Sequence, residues 1–357
     1  MIKKECFTAE WIEQVSSELH YNDKNLIEKV IRALSLLEML VKAGCPLVFK
    51  GGTALMLILG KSAHRLSIDI DLICPPGTNI EDYLKSFADF GFINLELVER
   101  KQRDDADIPK SHSKFFYQIA YRNDTDAQSY ILLDVLYEDI HYFRTQQIAI
   151  NCPFIRLEGK PLMVTVPSAE DILGDKLTAF APNTTGIPYY KNGRSCSMEI
   201  AKQLYDVGRL FENVSDLQIT KEAFRKIAVV ELSYRSFGTD IGQVFNDIRQ
   251  TALCISTRGK AGEGDFDLIQ DGIIRVKSFM YKQRYLIDHA IIDAARAAYL
   301  ATLIEKGINE IESYPNTPAD IKDMVIRPSL PNKLNKLRSN LPEAYYYWAK
   351  TSELLEA

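Results

Sequence analysis

Asp69 and Asp71 stand two residues apart in the run Ser67-Ile68-Asp69-Ile70-Asp71-Leu72-Ile73. Side chains two apart on a strand point to the same face. Both carboxylates therefore project together, while Ile68, Ile70 and Leu72 turn toward the core. Adjacent carboxylates repel, so the arrangement is costly unless a cation lies between them. Upstream lies Lys50-Gly51-Gly52-Thr53-Ala54-Leu55, a glycine turn able to offer backbone N–H groups to phosphate at a helix start. A cation site beside a phosphate site is the equipment of a Mg-nucleotide enzyme. In-line attack on an α-phosphate draws on two divalent ions about 3.5–4 Å apart, one activating the attacking hydroxyl and one holding the triphosphate. Mg²⁺ takes carboxylate, water and phosphate oxygens as ligands. A third acid would complete the first ion's shell, and Asp134 is the candidate. It interrupts the apolar strand Ile131-Leu132-Leu133-Asp134-Val135-Leu136, where an unpartnered acid is expensive. Pairing with an arginine, or a place at a strand edge, would account for Asp134 as well.

The elements that must position these acids follow from the hydrophobic spacing. Residues 23–43 carry Leu26, Val30, Ala33, Leu34, Leu37, Leu40 and Val41 at helical intervals, and Gly44 stops the helix. Residues 46–49 read as a short buried strand, 52–60 as a helix, and Pro75-Pro76-Gly77 ends the two-acid strand. Asn79 is placed to cap a helix running to Gly91. Strands are expected at 92–98, 115–121, 130–137, 147–150 and 163–166, rich in aromatic and branched residues. The polar stretch 100–114, with Asp104, Asp105 and Asp107, reads as a loop or hairpin tip. After Pro167 the texture changes. Ser168 with Asp171 resembles a capping box opening a helix to Ala181. A loop at 182–194 precedes helices at 198–211, 222–230, 241–256, 266–280, 286–304 and 341–354. The division implied is 1–166 and 167–357.

Composition narrows the function classes. Hydrophobic residues make up 46% and charged residues 25% of 357, the balance of an ordinary globular chain. A net charge of -5 gives no global pull toward nucleic acid, so any such contact needs a local basic patch. The six cysteines are scattered without a C-x-x-C pair, which fits free thiols in a reducing cytoplasm. No secretory leader is expected, and no run reaches the roughly 18 apolar residues of a membrane span. P-loop and protein-kinase signatures are absent, and the five histidines form no metal-ligand cluster.

The glycine turn followed by His64-Arg65-Leu66-Ser67-Ile68-Asp69-Ile70-Asp71-Leu72 resembles the AbiEii/AbiGii toxin family. So do Pro167-Ser168-Ala169-Glu170-Asp171-Ile172-Leu173-Gly174-Asp175-Lys176-Leu177-Thr178-Ala179 and Ala201-Lys202-Gln203-Leu204-Tyr205-Asp206-Val207, in that order. That family consists of minimal nucleotidyltransferases of the DNA polymerase beta superfamily, commonly the toxins of antitoxin-paired systems. The resemblance implies an α/β (α+β) nucleotidyltransferase core with a small mixed sheet, followed by a mainly helical domain. It implies that Asp69 and Asp71 bind metal and that Gly52 and Thr53 hold the triphosphate. Lys176 would reach the β- and γ-phosphates, and Asp206 would position substrate or support the lysine. The catalytic set is then Asp69, Asp71, Asp134, Lys176 and Asp206, with Gly51, Gly52, Thr53, Arg65, Ser67 and Lys176 binding nucleotide. Thr53 stands where the wider superfamily has serine, and the interval from Gly52 to Asp69 is longer than in many relatives.

Bland alternatives accompany several of these residues. Lys176 lies among Ile172, Leu173, Leu177 and Phe180, where it could neutralise phosphate or snorkel to the surface. Asp206 could pair with Lys202 or Arg209 on its own helix. Arg65 could touch phosphate or brace the two-acid strand. The resemblance implies an NTP substrate, two Mg²⁺ ions, a tRNA 3′ end as acceptor and a cognate antitoxin. Basic stretches compatible with RNA are Arg275, Lys277, Lys282 and Arg284, and then Lys322, Arg327, Lys333, Lys336 and Arg338. Tyr345, Tyr346, Tyr347 and Trp348 follow the second, able either to stack on bases or to fill a core. Nucleotidylation of a small molecule or protein, and a non-catalytic Mg-NTP-binding module, are the alternative functions.

Overall fold

Side-chain caps open the first two helices. The Thr8 hydroxyl accepts from the Trp11 N–H and the Asp23 carboxylate from the Leu26 N–H, starting α1 (Ala9–Glu18) and α2 (Lys24–Lys42). The computed structural model describes residues 1–98, 110–122, 127–214, 216–235, 238, 240–315 and 321–357. After α2 come β1 (Val48–Lys50), α3 (Gly51–Leu59), β2 (Ile70–Cys74), β3 (Asn94–Val98), β4 (Lys110–Gln118) and β5 (Gln128–Tyr137). A hairpin of β6 (Thr145–Ala149) and β7 (Met163–Pro167) follows. The main sheet has the order β1-β2-β5-β4-β3. It is mixed, since β2 and β5 run parallel and their other neighbours antiparallel. Val30, Ile31, Leu34, Leu37 and Leu40 of α2 are fully buried and share one core with Ile70, Leu72, Leu133 and Val135 of the sheet.

The chain divides into two compact units, Met1–Ser168 with Ser278–Arg284, and Ala169–Lys277 with Tyr285–Ala357. The second contains α4 (Ala169–Ala179), a small hairpin of β8 (Tyr190–Lys191) and β9 (Arg194–Ser195), then α5 (Ser197–Phe211), α6 (Gln218–Tyr234) and α7 (Ile241–Ser256). It continues with α8 (Phe266–Val276), α9 (Ile287–Lys306), α10 (Leu337–Asn340) and α11 (Pro342–Glu356). Residues 290–304 of α9 are almost all buried, so α9 is the central helix, contacting α5, α7 and α11. Among the described residues no helix is long and apolar enough to cross a membrane.

Four expectations need correction. Residues 79–91 form two 3₁₀ turns, Ile80–Tyr83 and Phe87–Phe90, instead of one helix. The Asn79 side chain bonds the Asp82 carboxylate at 3.1 Å and caps no backbone N–H. Residues 110–114 belong to β4, held by pairing with β5 although Lys110, Ser111, His112 and Lys114 give no apolar alternation; Asp104, Asp105 and Asp107 lie outside the described residues. The 182–194 loop ends in the β8–β9 hairpin, whose turn uses Asn192 (φ 52°) and Gly193 (φ 74°), the dipeptide that suits a tight hairpin. The helix expected over 266–280 stops at Val276. Ser278–Arg284 then belong to the first unit, so 167–357 is not a single stretch of the helical one.

Candidate active site

In the first unit the sheet's register sets the acids side by side. Asp71 on β2 is the partner of Asp134 on β5, and Asp134 in turn is the partner of His112 on β4. On the other side Lys50 of β1 is opposite Asp71. Partners in register share a face and neighbouring strands lie about 4.8 Å apart. Lys50, Asp71, Asp134 and His112 therefore form one row across four strands. Asp69 sits one residue before β2 begins, and Ile70 and Leu72 between and beyond the acids are buried. Asp69 and Asp71 are themselves partly exposed.

The glycine turn is built against this row. Gly51 has φ 78°, and a Cβ there would collide with the Asp71 carboxylate, so only glycine lets the turn approach the acid. A Cβ on Gly52 would lie 2.7 Å from Ser67 Oγ and 2.9 Å from Arg65 Nη2. Thr53 is buried, and its hydroxyl donates to the Asp69 carbonyl at 2.7 Å. That hydroxyl ties α3 to the two-acid strand. Arg65 is buried and donates to the Leu66 carbonyl at 3.1 Å. The returning segment Ser278–Arg284 clamps the same approach. Leu66 N–H donates to the Phe279 carbonyl at 2.8 Å, Tyr281 N–H to the His64 carbonyl at 2.9 Å, and His64 Nδ1 is 2.8 Å from Gln283 Oε1.

Two side chains near the acids were missed in the sequence. His112 Nδ1 is hydrogen-bonded to Asp134 Oδ1, and its buried Nε2 has no partner among the described residues. It was hidden in a polar run read as loop. The pair means that Asp134 is partnered by a histidine, not an arginine. Lys29 of α2 is the other. Burial pushes its ammonium pKa down while the Asp69 charge pushes it back up, and its Nζ lies 5.5 Å from the centre of the Tyr130 ring. Its signal was a lysine set between the buried neighbours Glu28 and Val30.

The residues expected from the helical unit lie in that unit's interior. Lys176 on α4 and Asp206 on α5 form an ion pair at 3.0 Å, with side chains 9% and 2% exposed. Lys176 also donates to Gln203 Oε1 at 2.9 Å. It is thus buried and paired, not a snorkelling surface lysine. Arg209 turns instead to Glu212 at 2.8 Å and Asp293 at 3.1 Å. The Tyr345–Trp348 run is core as well, with Trp348 fully buried and its Nε1 donating to Ser256 Oγ at 3.0 Å.

Among the described residues no group of three or more His, Cys, Asp or Glu side chains is arranged to hold a metal by itself. The two carboxylates paired across β2 and β5 are hard oxygen donors, and Mg²⁺ is commonly bound by one or two carboxylates plus water and substrate phosphates. The residues fit an ion completed by substrate, not a closed protein cage.

Paired acids beside a glycine turn fit the chemistry of a nucleotidyltransferase, and the class is fixed by comparison. The chain matches the family model for the nucleotidyl transferase AbiEii toxin of type IV toxin–antitoxin systems over residues 34–322. It belongs to that family, and is a nucleotidyltransferase. Among solved structures it is similar to JHP933 of Helicobacter pylori, at 17% identity and TM-score 0.42, covering 79% of this chain and 94% of that one. It is also similar to MenT4, a nucleotidyltransferase toxin of Mycobacterium tuberculosis H37Rv, at 11% identity and TM-score 0.47, covering 95% and 98%. Comparison with proteins of curated function finds no match.

Proposed function

We propose that this chain is a Mg²⁺-dependent toxin that transfers a nucleoside monophosphate from an NTP to the 3′ hydroxyl of a tRNA, in the cytoplasm and under the control of an antitoxin. The acceptor oxygen bonds to the α-phosphorus, the bond from that phosphorus to the bridging oxygen breaks, pyrophosphate leaves, and the hydroxyl proton passes to solvent. One observation carries this function: Asp71 and Asp134 are register partners on parallel strands, with the Gly51 turn fitted against Asp71.

Asp71 and Asp134, paired across the strands, would hold the cation together with substrate oxygens, and the family resemblance adds Asp69. Mg²⁺, when bound, supplies charge neutralisation at the phosphates and a more acidic acceptor hydroxyl. Gly51, Gly52, Arg65 and Ser67 bind and orient the triphosphate. Thr53 fixes the turn through the Asp69 carbonyl. Asp206 holds the Lys176 ammonium at 3.0 Å within the helical unit, and a role for this lysine toward the phosphates is what the family resemblance implies. The resemblance of the four ordered motifs to the family supports the tRNA acceptor and the antitoxin.

The test incubates the protein with each α-labelled NTP and, separately, total RNA, protein and metabolites. Label at tRNA 3′ ends, abolished by EDTA and restored by Mg²⁺, is the expected result. Label in protein or metabolites would reassign the acceptor. Tight NTP binding with no pyrophosphate release against any pool would sink nucleotidyl transfer for this chain.

A further inference from the structure

A second site lies wholly within the helical unit. The segment that follows α7 faces the 3₁₀ helix Asn332–Lys336 and α10 across a cleft of about 440 Å³. Arg258 and Lys260 line one bank, Lys333 and Lys336 the other. One carboxylate shares the lining, Asp288, and it is paired with Arg258 at 2.9 Å. Four cations against one acid is a strong local excess in a chain whose net charge is -5. All four cationic residues are exposed.

The second basic stretch of the sequence is sorted by this geometry. Arg338 is spent on the carbonyls of Ile321 at 2.9 Å and Met324 at 3.1 Å. Arg327 pairs with Glu356 at 3.7 Å. The tyrosines and tryptophan beyond are buried and offer no stacking platform. Lys322, Lys333 and Lys336 are left, and of these Lys333 and Lys336 line the cleft, where they meet two cations from a segment that the sequence did not group with them. Lys333 Nζ donates to the Lys260 carbonyl, which holds the two banks together. The lining also includes the apolar side chains of Ile291, Leu337 and Leu341. A cationic rim over an apolar floor suits a phosphate joined to a sugar or base better than it suits a bare inorganic anion.

We propose that this cleft binds the phosphodiester backbone of the RNA acceptor. The assignment rests on nucleotidyl transfer to RNA as the activity. Each cation that neutralises a phosphate releases condensed counterions, so binding here is salt-dependent in proportion to the contacts made. None of the residues lining the cleft is among those proposed above to bind the NTP.

The experiment titrates the full chain with fluorescently labelled bulk tRNA at several salt concentrations and measures RNA labelling from NTP in parallel. K333E/K336E is expected to lower tRNA affinity about tenfold or more near 0.1 M salt and to make the slope of log K against log salt shallower by roughly 1.5–2. K333Q/K336Q is expected to move both in the same direction by less, and it carries the test should the reversal variant fold poorly. Unchanged affinity and slope in a folded variant would overturn the proposal. Polyglutamate binding as tightly as tRNA, and equally weakened in the variants, would overturn the RNA assignment in favour of an acidic protein. A wild-type protein that labels no RNA counts against nucleotidyl transfer to RNA. One that labels RNA no better than K333E/K336E counts against the cleft alone.

Discussion

Two sets of charged residues, one in each unit, are built in opposite ways. In the first, Asp69, Asp71 and Asp134 are partly exposed, with Asp71 and Asp134 set side by side by strand register. In the second, Lys176 and Asp206 are almost wholly buried and matched to each other. So is Asp293, fully buried between Arg209 at 3.1 Å and Arg296 at 3.4 Å. Partly exposed acids cost the fold little. A buried pair is different, because removing one partner strands the other without solvent. Function and stability should therefore separate in the first set and coincide in the second.

The largest effect expected is catalytic. Asp71→Asn should lower nucleotide transfer by about a thousandfold or more, the scale of a lost electrostatic contact to the reacting group, while leaving thermal unfolding within about 1 kcal/mol of wild type. A variant that unfolds early would erase the contrast between the units. Asp206→Ala should cost about 3–5 kcal/mol in urea unfolding, because Lys176 is left charged and buried. K176M/D206L should recover most of that stability without recovering transfer, and recovered transfer would show the pair to be structural only.

Gly51→Ala comes next. A side chain at φ 78° that also collides with Asp71 should cost about 1–3 kcal/mol and weaken Mg²⁺ affinity measured by calorimetry. His112→Gln is a subtler probe of the row. Loss of its bond to Asp134 should lower kcat about tenfold with little change in KM for NTP, within the range for a group acting through another. Equal changes in both constants would mean that His112 only shapes the sheet.

The smallest effect is a pH slope in the helical unit. Burial raises the Asp247 pKa, against hydrogen bonds from Asn183, Thr184 and Thr251 that lower it. The native state then keeps a proton that the unfolded chain has already lost. This contribution is fully present below the ordinary carboxylate range, about pH 4, and is lost as pH rises through the higher folded value. Urea midpoints should show that slope in wild type and a flatter one in Asp247→Asn.

What the sequence revealed depended on whether the signal was local. The two-acid strand, the Gly51 turn and the long helices were legible, because period-two and helical spacing and glycine each act within a few residues. His112 was not, since β4 alternates poorly where it passes the acids and is held there by β5. The 3₁₀ turns at 80–90 were read as a helix because Ile80, Leu84 and Phe87 fall at helical intervals, although Asn79 bonds a side chain and no backbone N–H. Lys333 and Lys336 were visible as charge, but the residues that face them across the cleft come from a distant segment. No spacing rule reaches that far.

The strap formed by Ser278–Arg284 also gives the chain a timetable. His64 and Leu66, which lead into the acids, take backbone partners from Tyr281 and Phe279. During synthesis the nascent first unit can pair its own strands once β5 has emerged, yet those partners are still untranslated. Only after residue 284 clears the ribosome can the approach to Asp69 and Asp71 close. A chain terminated before residue 278 would therefore carry its acids without these two backbone partners.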